Sequence, residues 1–122
     1  CNLTFAGGYE AGRRLWAANG VKPSAVVAFS DVVGVGLLRF LDEAGVRVPD
    51  EVSVVSFDGT AVSEFTHTSL TTVVTPMYEI GRQAYQMLIG AMNGEFSEAQ
   101  SLILPVELKL RESLGEARKK SA

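Results

Sequence analysis

The sequence has few of the residues that metal sites, disulfides and most hydrolytic enzymes require. It contains one cysteine, Cys1, and one histidine, His67, among 122 residues. A single cysteine excludes a disulfide within the chain and fits a reducing compartment. A zinc site built from several Cys and His ligands is excluded as well. A catalytic triad would depend on His67, and no G-x-S-x-G nucleophile motif accompanies it. We therefore predict that the chain is not an enzyme and has no catalytic residue, metal site or cofactor.

Long apolar runs are also missing. None reaches the roughly 18 to 20 residues that a membrane-spanning helix needs, and positions 1 to 20 show no basic segment leading into an apolar stretch. These absences predict a cytoplasmic protein without a signal peptide or membrane contact.

Positive charge is scarce in the body of the chain. Eleven basic residues face fourteen acidic ones, for a net charge of −3, and Arg118, Lys119 and Lys120 lie together near the C-terminus. Binding to nucleic acid needs clustered Lys and Arg that displace counterions from phosphates. We predict that these residues do not bind DNA by themselves and that positions 116–122 form a basic, disordered tail.

The composition that is present predicts an α/β fold. Hydrophobic residues make up 47% of the chain, which is enough for a compact core. Apolar periodicity and turn residues predict helices at 9–18, 32–44 and 77–93 and strands at 25–29, 52–57, 70–74 and 102–104. The period-two alternation at 106–111 predicts a further segment that has one wet face or lies at an edge. Strands that alternate with helices indicate a mainly parallel sheet flanked by helices. The continuous apolar run at 25–29 is typical of a strand that is covered on both faces.

Two predicted strands end in acidic residues. Ligands of parallel sheets bind outside the carboxyl ends of the strands, where Asp31 and Asp58 lie. Asp31 is explained at least equally well as the N-cap of the next helix. Asp58 can accept hydrogen bonds from the vicinal hydroxyls of a sugar, or it can form a turn with Gly59. Both interpretations of Asp58 stay open at this point.

A pair of glycines, Gly34 and Gly36, superficially suggests a dinucleotide-binding loop. The third glycine position of that motif is occupied by Arg39, and the pair lies within a predicted helix instead of before it. We interpret the two glycines as small residues that allow close helix packing.

Three phrases of the sequence form a specific combination: AVVAFSDVVGVGLLRFLDEAGVRVPDEVSVVSFDGT, LTTVVTPMYEIGRQAYQMLIG and LPVELKLRESLG. Together they resemble the C-terminal half of the effector-binding domain of LacI/GalR-family transcriptional regulators. The resemblance covers positions 1–115 without an evident gap. Periplasmic sugar-binding proteins share this fold but usually lack these phrases.

The resemblance implies a periplasmic-binding-protein-like fold with a second lobe and part of a first lobe. Positions of about 77–104 would belong mostly to that first lobe, the rest of which is absent, as are the hinge helix and the helix-turn-helix headpiece. DNA would be bound only through the headpiece. We therefore expect exposed apolar area on the helix at 77–93, or an intermolecular contact that covers it.

The resemblance also implies ligand-binding residues. Asp58 matches the family's acid that binds ligand hydroxyls, and Thr75 and Met77 match positions at the crossover between the lobes that can line the cleft. The implied ligand is a small effector, a carbohydrate, whose binding between the lobes controls DNA binding allosterically.

Four positions depart from the family pattern. Ser30 stands where Asn commonly binds the effector, and Leu3 stands where an aromatic residue commonly stacks on the ligand ring. Both stay in the predicted site, since a hydroxyl can still hydrogen-bond and leucine keeps an apolar contact. Ser56 replaces a usual Gly and Gly59 a frequent second Asp. These departures bear on the identity of the effector.

The family's dimer surface would use the helix at 32–44 and the loop at 61–69. Val35 and Thr66 are the contacts that this resemblance implies for a homodimer. Two other functions are compatible with the fold: a periplasmic sugar-binding protein, which needs a signal peptide, and a phosphoacceptor receiver domain. The receiver domain would place several carboxylates, Asp31 and Asp58 among them, around a Mg²⁺ ion.

Overall fold

The computed structural model describes residues 2–18, 20, 22–96 and 99–117. The chain forms two compact units, of which the first contains positions 1–74 and 108–122 and the second contains Thr75–Glu107. Cys1 and most of the predicted basic tail, 118–122, lie outside the described residues.

The sheet has the order β1-β2-β3-β4. Its strands are β1 (Ala25–Val27), β2 (Ser53–Asp58), β3 (Thr71–Val74) and β4 (Glu107–Lys109). β1 pairs in parallel with β2, with Ala25 opposite Ser53, and β2 pairs in parallel with β3, with Val55 opposite Thr71. The mainly parallel α/β sheet predicted from the sequence is confirmed.

Two helices of the first unit pack against each other. They are α1 (Phe5–Ala17) and α2 (Asp31–Glu43), and a single 3₁₀ turn follows at Ala61–Glu64. α1 begins four residues before the predicted start because Thr4 caps it, with its hydroxyl accepting a hydrogen bond from the Gly7 N–H at 3.0 Å. A Cβ atom added to Gly36 of α2 would lie 2.0 Å from the Phe5 carbonyl oxygen. The close packing predicted for this glycine is confirmed.

The core lies between α2 and the sheet. Its buried side chains are Leu37, Leu38, Leu41, Val52, Val54 and Leu70. The prediction that strand 25–29 is covered on both faces is wrong, because Val27 is 68% exposed and Phe29 is 73% exposed. β1 is the edge strand of the sheet, and these two side chains point away from the core residue Ala28, which is buried.

The segment after β4 is fastened to the sheet by side chains. Ser113 is fully buried; its hydroxyl donates to the Val54 carbonyl at 2.6 Å and accepts from the Thr71 N–H at 2.8 Å. The Arg111 guanidinium donates to the Leu70 carbonyl at 2.8 Å and pairs with Glu64 at 2.6 Å. The R-E-S phrase of the sequence is therefore part of the first unit's structure.

The second unit is built on helix α3 (Met77–Met92). Gly90 is the only buried residue of this helix. Seven large apolar side chains on α3 are exposed: Met77, Tyr78, Ile80, Tyr85, Leu88, Ile89 and Met92. The expected exposed apolar area on this helix is confirmed. The predicted strand at 102–104 is wrong, since these residues take no strand conformation and Ile103 is 91% exposed.

Candidate ligand-binding site

Asp58 is the last residue of β2 and has an unusual backbone conformation. Its φ angle is 109°, which makes it the only non-glycine residue with a positive φ among the described residues. Gly59 follows with a φ of 75°. Most side chains avoid this region of backbone space, so a residue held there commonly marks a functional site.

The Asp58 carboxyl group lies next to the start of α2. Burial raises the pKa of Asp58, the negative charge of Asp31 raises it further, and a hydrogen bond from the Asp31 backbone N–H lowers it. The first N–H groups of a helix have no partner within the helix, which makes this a favourable place for a carboxylate. The sequence-predicted acid at the strand end is thus half-buried and oriented by a helix terminus.

Ser30 is the N-cap of α2, and the prediction that Asp31 caps this helix is wrong. The Ser30 hydroxyl accepts a hydrogen bond from the Val33 N–H at 3.4 Å, and only 9% of the residue is exposed. Because its oxygen is used as an acceptor, the Ser30 O–H remains available chiefly as a donor. Ser30 directly precedes Asp31, whose backbone N–H bonds the Asp58 carboxyl group, and a shared site of Ser30 and Asp58 stays a prediction.

Asp31 is instead a fully buried acceptor of four hydrogen bonds. Its Oδ1 accepts from the hydroxyls of Ser56 and Thr72, each at 2.6 Å. Its Oδ2 accepts from the Thr60 N–H at 2.6 Å and from the Thr60 hydroxyl at 2.8 Å. Burial by itself would raise the pKa of Asp31, but these hydrogen bonds outweigh burial, and the pKa lies below its ordinary value.

The partners of Asp31 were not found by sequence reasoning. Ser56, Thr60 and Thr72 lie 25, 29 and 41 residues from Asp31 along the chain. The one signal was the presence of hydroxyl residues, Ser56 and Thr72 among them, within the strands β2 and β3. Such a residue needs a hydrogen-bond partner when it is buried.

The four hydrogen bonds also bear on the receiver-domain interpretation. Both oxygens of Asp31 are occupied by donors, so this carboxylate is not placed to coordinate Mg²⁺. Within the described residues, no three Cys, His, Asp or Glu side chains are grouped in a way that could hold a metal ion.

The remaining predicted ligand contacts lie in other parts of the chain. Leu3 is 61% exposed and directly precedes the N-cap of α1. Thr75 and Met77 belong to the second unit, where Thr75 is half-buried and Met77 is 60% exposed. Their contribution to a site with Asp58 stays a prediction.

The predicted dimer contacts share a surface pocket of about 530 Å³. Val35 of α2 and Thr66 of the loop after the 3₁₀ turn both line it, together with Leu38, Arg39 and His67. The structure thus brings the two residues to one surface, and their role in a homodimer stays a prediction. None of the helices in the described part of the chain is long and apolar enough to cross a membrane.

Comparison with known proteins gives consistent matches over nearly the whole chain. The family model of the periplasmic binding protein-like domain matches residues 2–114. Catabolite control protein A of Staphylococcus xylosus is 34% identical over 110 residues, which are 90% of this chain and 32% of that protein. The HTH-type transcriptional repressor CytR of Escherichia coli (strain K12) is 36% identical over 91 residues, 75% of this chain and 27% of that protein. The chain thus spans about a third of the length of the curated relatives it matches.

Solved structures agree with these relatives. A putative transcriptional regulator LacI from Bacillus cereus subsp. cytotoxis has a TM-score of 0.90 at 29% identity, covering 96% of this chain and 41% of that one. The complex of the transcriptional regulator CelR with cellobiose has a TM-score of 0.83 at 36% identity, covering 92% of this chain and 34% of that one. A LacI family regulator from Enterococcus faecium with bound ribose has a TM-score of 0.78 at 28% identity, covering 92% of this chain and 41% of that one. The chain belongs to the periplasmic-binding-protein-like domain family, in the group of ligand-binding domains that LacI-family transcriptional regulators carry.

Proposed function

We propose that the chain is the ligand-sensing part of a bacterial LacI-type repressor and that its effector is a sugar bound at the carboxyl end of β2. The observation that carries the proposal is the Asp58 carboxyl group, half-buried at the strand end and bonded to the first N–H of α2. Similar regulators with bound cellobiose and ribose support a carbohydrate as the ligand class.

The chemistry of Asp58 suits a sugar. Its ionised carboxylate has more acceptor positions than the single backbone N–H of Asp31 occupies. Two neighbouring hydroxyl groups can donate to the remaining positions, and a hydrogen bond to a charged group is stronger than one between neutral groups. Ser30 supplies a nearby hydroxyl donor. Leu3 is the further proposed contact in the first unit and gives an apolar surface to one side of the ring.

The proposed regulation is a shift between two arrangements of the intact protein. An effector that binds one arrangement more tightly changes the population of that arrangement, and with it the DNA affinity of the headpiece. An effector with equal affinity for both arrangements would have no regulatory effect. A repressor of this kind acts on DNA in the cytoplasm.

The test compares Asp58→Asn with the wild type in the intact protein by isothermal titration calorimetry. Cellobiose and ribose are tried first, after a thermal-shift screen of a wider sugar set. Asparagine keeps the size of the side chain and removes the charge, so affinity should fall by about 1.5–3 kcal/mol, on the order of 10- to 100-fold. Glu116→Gln is the control, because this exposed residue loses the same charge outside the site. Equal sugar affinities of Asp58→Asn and the wild type would contradict the role of Asp58.

We further propose that α2 and the loop at 61–69 form a homodimer surface, with Val35 and Thr66 as contacts, and that this surface continues onto α1. A second surface pocket of about 700 Å³ is lined by Phe5, Tyr9 and Arg39, and Val35 lines both pockets. Phe5 is 49% exposed. Val35→Glu should convert the dimer to a monomer in light scattering, because the contact would have to take a charge out of water. Glu95→Gln, an exposed change in the second unit, should leave the dimer intact.

A further inference from the structure

Three of the four hydrogen bonds to the buried Asp31 carboxylate come from the segment that carries Asp58, and the fourth comes from Thr72 of β3. We propose that Asp31 is a positioning residue, which holds Asp58 in the backbone conformation that ligand binding requires. The inference rests on the proposed function of Asp58 as the ligand contact, and it adds a residue that does not itself touch the ligand.

The residues that donate to Asp31 lie on both sides of Asp58 in the sequence. Ser56 lies two residues before Asp58 and donates to Oδ1 of Asp31 at 2.6 Å. Thr60 lies two residues after Asp58 and donates to Oδ2 through both its N–H, at 2.6 Å, and its hydroxyl, at 2.8 Å. One carboxylate therefore fixes the chain on both sides of Asp58.

A third donor links the same turn to the neighbouring strand. The Thr72 hydroxyl of β3 donates to Oδ1 of Asp31 at 2.6 Å and accepts from the Gly59 N–H at 3.3 Å. The residue immediately after Asp58 is thus tied to Asp31 through one hydroxyl group. Since Asp31 itself is the first residue of α2, the turn is attached to a rigid element.

The backbone of Asp58 explains why this attachment is needed. A non-glycine residue at a φ of 109° is unfavourable by itself, and it persists only where the surrounding structure fixes it. The hydrogen bonds of Ser56, Thr60 and Thr72 provide that constraint. The Asp31 backbone N–H adds a direct bond to the Asp58 carboxylate. The same residue therefore orients both the backbone and the side chain of Asp58.

A purely structural role for Asp31 makes a different prediction. Loss of a buried acceptor would then lower the stability of the first unit without changing the local conformation of Asp58. Ser113 provides the matched case, because it is also fully buried and its hydroxyl makes two hydrogen bonds that link strands of the same sheet. The hydroxyl bonds Val54 and Thr71, the backbone bonds Val54 and Ser69, and none of these bonds reaches the turn at 58–60.

The experiment uses Asp31→Asn and Ser113→Ala, with backbone chemical shifts of the ¹³C,¹⁵N-labelled protein as the first measurement. An asparagine can keep the acceptor that faces Ser56 and Thr72, but its amide NH₂ would face the two donors of Thr60. In Asp31→Asn, we expect the backbone chemical shifts of Asp58 and Gly59 to change from values typical of a positive φ angle to values typical of a negative one. In Ser113→Ala, we expect these chemical shifts to stay at the wild-type values. If the chemical shifts of Asp58 in Asp31→Asn stay typical of a positive φ angle, the proposal is overturned.

Sugar binding gives the second measurement. With whichever of cellobiose and ribose binds the wild type, Asp31→Asn should weaken binding by about tenfold or more, as for residues that orient a direct ligand contact. Ser113→Ala should bind like the wild type in spite of its lower stability. If Asp58→Asn leaves sugar binding unchanged, the proposed function fails, while the chemical shifts still decide whether Asp31 positions Asp58.

A pair of variants at the exposed Thr60 covers the case in which Asp31→Asn does not fold. Thr60→Val removes the hydroxyl bond to Asp31 and keeps the backbone N–H bond, whereas Thr60→Ser keeps both. We expect altered shifts at Asp58 for the valine variant and wild-type shifts for the serine variant. Identical shifts in the two variants and the wild type would contradict the positioning role.

Discussion

The packing of α1 against α2 gives the sharpest test of the fold, and Gly36→Ala is the perturbation. A Cβ atom at this position would lie 2.0 Å from the Phe5 carbonyl oxygen and 2.9 Å from the Tyr9 backbone nitrogen. Both atoms belong to the backbone of α1, which cannot move aside in the way that a flexible side chain can. The helices must therefore separate for alanine to fit.

The size of the effect follows from these distances. An ordinary contact begins at 3.4 Å, so the Phe5 carbonyl must withdraw by about 1.4 Å, the difference between 3.4 and 2.0 Å. Overpacking a well-packed interior costs about 1–3 kcal/mol, and a clash between two backbones belongs at the upper end. Alanine offsets about 1 kcal/mol through its better helix propensity. The free energy of unfolding should fall by about 2 kcal/mol, the difference of these two effects.

The assay is urea unfolding followed by circular dichroism, with Gly81→Ala as the matched control. Gly81 lies within α3, and a Cβ atom there would meet nothing within 4 Å. The same substitution should therefore stabilise α3 or leave the stability unchanged. Equal or greater stability of Gly36→Ala than of the wild type would refute the packing of α1 on α2 through this glycine.

Three further predictions concern other parts of the first unit. Arg111→Lys should lower the free energy of unfolding by about 1–3 kcal/mol in urea titrations. Lysine cannot reproduce the forked hydrogen bonds to the Leu70 carbonyl, the Ser63 hydroxyl and the Glu64 carboxylate. A loss below about 0.5 kcal/mol would contradict this. Gly59→Ala should destabilise by about 1–3 kcal/mol, since its φ is 75° and the new Cβ would lie 2.8 Å from the Cα of Val74; an unchanged urea midpoint would disprove the clash. The pKa of Asp31 is lower in the folded protein than in the unfolded chain, where it is about 3.9. The ionised carboxylate therefore stabilises the fold above this unfolded pKa, and the stabilisation is lost as the pH falls through the folded-state pKa. The stability difference between the wild type and Asp31→Asn should therefore shrink in acid, and a constant difference between pH 7 and about pH 2 would count against this.

The sequence predicted the elements whose signals are local. The bounds of α2 and α3 agree with the predicted helices within one or two residues, because apolar spacing and flanking turn residues are encoded side by side. The strands β2 and β3 agree similarly. Asp58 was placed at a strand end by the same local pattern, and the structure puts it there with an unusual φ angle.

Features that depend on distant partners could not be predicted in this way. The apolar run at 102–104 has the composition of a strand, yet a strand also needs a partner, and β4 forms instead within the alternating segment at 106–111. The burial of Phe29 was overestimated for a related reason. Composition shows that a side chain is apolar, but only the position of its strand in the sheet determines whether anything covers it.

For the start of α2, the local sequence pattern correctly predicted a side-chain N-cap but assigned it to Asp31, the wrong residue. An acid after a strand and before a helix is a good N-cap, and the helix does have such a cap, but Ser30 provides it. The carboxylate is thereby free to turn inward, where hydroxyl groups from β2, β3 and the turn after β2 satisfy it. A buried charge is tolerated only when its hydrogen bonds are complete, so the hydroxyls of Ser56 and Thr72 and the acid must be retained together. Loss of either hydroxyl removes a hydrogen bond from the buried carboxylate, and loss of the carboxylate removes an acceptor from both hydroxyls, so the turn at Asp58 is sensitive to residues that no ligand touches.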